Sequence, residues 1–318
     1  MNKKERFLAA LRGAPVDRPP VVAWCNFATD AVDGPNNAQR QLAWHRACDW
    51  DICKAMNDYR LAPPAGLETI DGPADMLRFA RRALDEPPFA RQLECLRSLR
   101  AAIGPEVPLV ETLLEPFFSI LFAVGFSRAV LIRAHPREAG VMLGALTATL
   151  ADYVAELRKV PVDGVFYATN GCILSPAARG IDDEAYRRFH RPYDLRLLEA
   201  MAGLERIVHA HGNPIDIGRV LDYPCEAISW SDRLPGNPPI AEVRRRTPKC
   251  LWGGVDETKL HERSLPELRA EVADALAQAG GPGNFILSPG CNVNSGTSLR
   301  TLAALRDAAS GRRAKPAC

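Results

Sequence analysis

Eight short apolar runs punctuate the chain, and helical periodicity fills most of the intervals between them. The runs cover 20–25, 50–56, 107–113, 164–169, 207–211, 227–231, 250–255 and 285–288. Helix-period patterns occupy 37–46, 88–103, 137–157, 182–201, 240–245, 265–279 and 298–309, and a short amphipathic helix opens the chain. Eight strands alternating with helices predict a closed parallel (β/α)8 barrel of the α/β class. We expect one barrel domain over 1–318, with an N-terminal helical lead-in at 1–18 and a frayed tail at 311–318. The rival, an open doubly wound sheet, carries a Gly-rich phosphate loop after its first strand. Here that position reads Trp24-Cys25-Asn26-Phe27, so the barrel is the better reading.

A barrel of this kind gathers its chemistry at the C-terminal ends of its strands. Two ends stand out: His209-Ala210-His211-Gly212 closes the fifth run, and Cys291 follows the eighth. Residues two apart on a strand share a face, so His209 and His211 can point into one cavity. Two imidazoles and a thiolate are three ligands of a zinc site that keeps a position open for chemistry. The other run ends supply a ring of polar side chains: Cys25, Asn26, Asn57, Asp58, Glu111, Tyr167, Asn170, Asp232, Asp256 and Asn292. Every strand-to-loop boundary produces such residues, so the metal-ligand types carry the expectation. Plainer readings stand beside several of them. Asp232 equally caps the next helix or pairs with Arg233. Asn170 precedes Gly171 and suits a tight turn. Cys25 packs like any small buried hydrophobe, and Glu111 suits an ion-paired face.

Composition narrows the class. The 318 residues are 47% hydrophobic and 25% charged, ordinary for a globular protein. A net charge of +2, with no basic stripe interleaved with aromatics, argues against a nucleic-acid partner. No unbroken apolar run reaches the ~18 residues of a membrane span, so no membrane role is expected. The charged start, Met1-Asn2-Lys3-Lys4-Glu5-Arg6-Phe7, does not read as a signal peptide. Nine cysteines without paired short spacings read as reduced thiols in a cytoplasmic protein.

Three stretches resemble a known family. Lys4-Glu5-Arg6-Phe7-Leu8-Ala9-Ala10-Leu11-Arg12-Gly13 with Val16-Asp17-Arg18-Pro19-Pro20 resembles the start of the uroporphyrinogen decarboxylase superfamily. Trp252-Gly253-Gly254-Val255-Asp256 and Phe285-Ile286-Leu287-Ser288-Pro289-Gly290-Cys291 resemble its last two strands. The resemblance covers essentially the whole chain and implies a (β/α)8 barrel. True uroporphyrinogen decarboxylases carry Arg-Gln-Ala-Gly-Arg after the first strand, to hold substrate carboxylates. Here the stretch is Trp24-Cys25-Asn26-Phe27-Ala28-Thr29-Asp30, with no arginine, and the aspartate that binds pyrrole nitrogens appears as Asn57 beside Asp58. A porphyrinogen substrate is therefore not expected.

The chain is closer to the zinc-dependent methyltransferase branch, similar to cobalamin-independent methionine synthase. That branch carries His-x-Cys after strand five, a carboxylate after strand six and Cys in the strand-eight motif. Here they are His209, Asp232 (with Ser231 as an offset alternative) and Cys291, while His211 replaces the usual Cys. The resemblance implies zinc held by His209, His211, Cys291 and Asp232, and a small thiol or methylated substrate. It also implies a corrinoid carried by a separate protein, and a homodimer. Imidazole in place of thiolate makes such a site less electron-rich. Asp232, Tyr167 and Asp58 are the expected catalytic residues, with Asn57, Asn170, Cys25 and Glu111 contacting substrate. The alternative is a decarboxylase or C–S or C–C lyase in the same barrel, worked by Asp58 and Tyr167. A non-catalytic binding barrel is a third reading.

Overall fold

The computed structural model describes residues 1–174 and 180–310; the tail expected to fray, 311–318, lies outside the described residues. Seven strands pair in chain order, every neighbour parallel. They are β1 (Cys53–Ala55), β2 (Leu109–Leu114), β3 (Gly164–Thr169), β4 (Glu205–Ala210), β5 (Ala227–Trp230), β6 (Cys250–Val255) and β7 (Phe285–Pro289). They match the second to eighth apolar runs. Most of their residues are buried, as strands covered on both faces must be.

The first run, 20–25, forms no ladder strand, yet it closes the sheet. Val22 N–H donates to Leu287 O (3.2 Å), Leu287 N–H to Pro20 O (2.9 Å) and Asp51 N–H to Val21 O (3.0 Å). An extended segment thus lies between β7 and the chain entering β1. Its ladder is thin for a chemical reason. Pro19 and Pro20 have no N–H to give, and the Val21 N–H is taken at 2.8 Å by the Asp51 carboxylate, itself held by Arg6 and Arg18. The barrel is therefore seven strands plus this closing segment.

Period-two alternation sorts each strand into two faces. Val110, Phe166, Ile207, Ala227, Cys250, Trp252 and Ile286 share one buried cluster with Trp24, which is the barrel interior. The opposite parity, Leu109, Leu113, Val165, Tyr167, Val208, Ile228 and Leu251, packs against the surrounding helices. The opening helix, Lys3–Leu11, is fastened by a capping box between Asn2 and Glu5. Its Phe7, Ala10 and Leu11 join the interior cluster, and Phe7 meets Trp252 edge-on at 6.4 Å. The lead-in helix plugs one end of the barrel.

Two helical regions depart from expectation. The stretch 182–201 divides into a short turn Asp183–Ala185, a π-turn Tyr186–His190 and a helix Arg191–Ala200, with Pro192 in the first turn of the last. After β2, helices Pro116–Val124 and Ala129–Ala134, which the periodicity did not predict, overhang the other end of the barrel. Helix Pro136–Leu157 is long and apolar enough to cross a membrane, with a mean hydropathy of 1.2 over its best window. Half of that window is buried inside the protein, which is the character of a core helix.

Candidate metal centre

The inward parity of β4 carries Ile207 at the plug and then His209; His211 extends the strand by donating its N–H to Thr169 O (2.9 Å). His209 stacks on Phe166, 5.1 Å between ring centres, and its Nδ1 lies 3.1 Å from Ser229 Oγ on β5. That contact turns Nε2 toward His211, whose Nδ1 is 3.4 Å away. Cys291 Sγ lies 3.7 Å from the same Nδ1. Cys291 comes this close because Gly290 has no side chain: a Cβ there would sit 2.5 Å from Ser231 Cα.

The three donor atoms lie within 4.8 Å of one another. With the usual zinc bond lengths, a tetrahedral edge is about 3.4 Å between two imidazole nitrogens and about 3.6 Å between nitrogen and thiolate. The separations from His211 Nδ1 to His209 Nε2 and to Cys291 Sγ fit those edges. Electrostatics agrees. Burial, then neighbouring His211 and Lys54, holds His209 far below the usual histidine range, so it stays a neutral ligand. Burial and the charge of Glu257 push the Cys291 thiol up to about 11, against the Asn292 N–H and Lys54. Without a cation, this thiol keeps its proton at neutral pH.

The donors open onto a cavity of about 240 Å³ at the mouth, walled by Trp24, Met56, Leu114, Phe118, Phe122 and Phe166. Lys54 rises from β1 into it. Its Nζ donates to Thr112 Oγ1 (2.8 Å) and lies 4.4 and 4.3 Å from the Trp24 and Phe166 ring centres. No carboxylate lies within ion-pairing distance of it among the described residues. Burial lowers its pKa to about 7, against the charges of Cys291, Glu111 and Asp58. Sequence reasoning passed over Lys54, although a lone cation inside an apolar run was a visible signal. Arg60, Asn26, Asn57 and Asn292 complete the polar lining.

Of the residues expected at the site, His209, His211, Cys291, Asn57, Asn26 and Asn292 meet at this cavity. The rest are placed elsewhere. Asp232 is one residue out of phase with the inward Ser231. Its Oδ1 accepts the Gly254 N–H (2.8 Å), its Oδ2 lies 3.2 Å from Arg233, and it is not among the three grouped donors. Burial raises its carboxyl to about 7. A side chain at Gly253 would collide with it at 2.4 Å, so the carboxylate is wedged against β6. Tyr167 faces the helices and donates to Asp194 (2.6 Å). Asp58 accepts from the Phe27 N–H (3.0 Å) and Thr29 Oγ1 (3.1 Å), bracing the loop after the closing segment.

Glu111, fully buried behind the cavity wall, accepts from Gln92 (2.8 Å), Tyr153 (2.8 Å) and Asn57 (3.2 Å). Cys25 packs in the outer core, its thiol pushed up to about 11 by burial. Asn170 gives its N–H to Glu115 (2.9 Å) beside the buried Glu115–His190 pair.

Comparison with known proteins agrees with the fold. A methyltransferase from Methanosarcina mazei superposes with a TM-score of 0.79 at 18% identity, over 98% of this chain and 99% of that one. A putative vitamin-B12 independent methionine synthase from Listeria monocytogenes has a TM-score of 0.50 at 12% identity, over 70% of each chain. In sequence, a uroporphyrinogen decarboxylase of Anaeromyxobacter sp. is 28% identical across 68% of this chain, which spans 62% of that relative. A methylcobamide:CoM methyltransferase (MtbA) of Methanosarcina acetivorans is 23% identical across 94% of this chain and 95% of the relative. The profile of uroporphyrinogen decarboxylase (URO-D) matches residues 63–311. With most of its length in that match, the chain belongs to the uroporphyrinogen decarboxylase family.

Proposed function

We propose that this protein is a zinc-dependent methyltransferase that activates a small thiol or thioether at the barrel mouth, exchanging methyl groups with a corrinoid on a separate protein. The observation that carries this reading is the convergence of His209 Nε2, His211 Nδ1 and Cys291 Sγ at one end of the cavity. Three protein donors, with Asp232 turned away, is the count of a catalytic rather than a structural zinc site. Bound zinc would lower the pKa of a substrate thiol, so that thiolate exists at neutral pH.

The chain's own residues do the rest. Ser229 and Phe166 hold the His209 ring, so its direction is set before substrate arrives. Lys54, without a carboxylate partner, supplies positive charge beside Cys291 and favours an anionic sulfur in the cavity. The aromatic walls limit water around it. The full-length similarity to a methylcobamide:CoM methyltransferase supports the methyl chemistry and the corrinoid partner. Reduced cytoplasmic conditions suit a thiol substrate. A metal-free decarboxylase run by Asp58 and Tyr167 has less support, because both side chains are engaged outside the cavity lining.

Metal analysis tests the reading. Protein purified without added metal is expected to hold about one zinc per chain, and Cys291→Ser to lose it with its circular dichroism unchanged. Stoichiometric zinc in that variant, or none in the native protein, would overturn the assignment.

A further inference from the structure

A second cavity adjoins the one that carries the metal donors. A side chamber of about 50 Å³ lies between the end of β2 and helices Pro116–Val124 and Pro136–Leu157. Asn57, Arg60, Thr112, Leu114 and Phe122 line both spaces, so they are the common wall. Beyond that wall the chamber is faced by Leu61, Phe89, Leu113, Leu150 and the ring of Tyr153. Its polar atoms are largely spent: the Tyr153 hydroxyl donates to Glu111 (2.8 Å), and Ser119 Oγ faces Leu114 O at 3.5 Å. Such a space favours hydrocarbon over water.

One polar atom at the junction is left over. Asn57 gives its Nδ2 to Glu111 (3.2 Å), which also accepts from Tyr153 and Gln92 and so sets which end of the amide is the donor. Asn57 Oδ1 is then buried with no hydrogen-bond partner among the described residues. A buried acceptor left unmet is costly; Oδ1 has no surface on either cavity, so a ligand N–H or O–H meets it when the Asn57 amide turns toward the junction. Arg60 roofs the junction, donating to Asn57 O (2.8 Å) and lying 4.6 Å from the Phe122 ring centre.

We infer that the substrate carries an apolar arm of a few carbons that enters this chamber, with a hydrogen-bond donor beside the arm that meets Asn57 Oδ1. The inference rests on the reading that the sulfur binds at His209, His211 and Cys291, and it names the rest of that substrate. It makes the wall between the compartments the determinant of selectivity.

The test is calorimetric titration of zinc-loaded protein with 1-mercaptoalkan-2-ols bearing arms of one to five carbons. A parallel titration uses sulfur-free 2-alkanols of the same arm lengths. Affinity is expected to rise about fourfold per added methylene in both series, until the chamber is full. Alkanethiols of equal length, lacking the hydroxyl, are expected to bind about fivefold to tenfold more weakly. Ser119→Phe, which fills the chamber, should flatten the dependence on arm length; Leu150→Ala, which enlarges it, should move the optimum to longer arms. Should one variant fail to fold, the other carries the test. Affinities independent of arm length in both series would overturn the inference; if the thiols still bound only zinc-loaded protein, the methyltransferase reading would stand. Arm-dependent binding of 2-alkanols, with no thiol bound more tightly than its sulfur-free partner, would keep the chamber and remove the thiol reading.

Discussion

At the scale of single residues, strand parity decides which side chains reach the chemistry. Phe166 and Tyr167 are neighbours on β3, yet one lines the cavity and the other donates to Asp194 in the outer layer. Thr112 and Glu111 divide in the same way on β2. The polar type of a residue near a strand end was legible in the sequence; its face was recoverable only by counting in twos from a residue known to point inward. His209 and His211 survived that ambiguity because they share a parity. Lys54 is a buried cation without a carboxylate partner, and such groups are costly. Lys54→Met should therefore stabilise the apo-protein by about 1–2 kcal/mol, seen as a higher thermal midpoint, while methyl transfer falls at least tenfold. A lower midpoint would mean that the ammonium is better solvated than its contacts with Thr112, Trp24 and Phe166 suggest.

At the scale of elements, seven of the eight apolar runs became ladder strands, and the exception is instructive. Run 20–25 had the composition of a strand, but its entry through Pro19 and Pro20 removed donors and Asp51 claimed another. Helix Pro116–Val124 was missed for the opposite reason. Its apolar residues lie all around the axis, because Phe117, Ile120, Leu121 and Val124 are buried in the core while Phe118 and Phe122 wall the cavity. A short helix that is apolar nearly throughout has too few polar positions to mark its period. The turn from β7 to Cys291 is similarly constrained. Gly290→Ala would place a methyl 2.5 Å from Ser231 Cα and 2.9 Å from Trp230 O, backbone at and just past the end of β5. We expect a cost of about 1–3 kcal/mol in stability and at least a tenfold loss of zinc affinity, measured by competition with a chromogenic chelator. Unchanged affinity would show that Cys291 reaches the other donors by a different path.

At the scale of the whole molecule, the fold holds several carboxyls in places that disfavour their charge. Burial raises Glu111 and Asp232 to about 7, and burial with the charge of Glu115 raises Asp194 as well. A carboxyl with a raised folded-state pKa binds more protons folded than unfolded between its two pKa values. Its contribution is therefore full below the unfolded value and is lost as pH rises through the folded one. Through these three carboxyls the apo-protein should lose stability as pH climbs from about 4 to about 7, offset in part by His209 and His45, which burial keeps neutral, and Glu111→Gln should make that decline shallower. Denaturant unfolding at several pH values checks both; a midpoint rising over that interval would show that these groups are ionised in the native barrel.

The sequence by itself determined the barrel, the lead-in helix and the pairing of His209 with His211, because those follow from local period and from chemistry two residues apart. It also marked Cys291 as a ligand candidate through its place after the last strand. What only the tertiary structure decided is which distant groups share a space. Ser229 orients His209, Lys54 and Arg60 face the cavity, Asp232 accepts from the Gly254 N–H, and a side chamber opens behind Asn57. These are contacts between residues tens to hundreds of positions apart, set by register and loop path, and no local pattern encodes them.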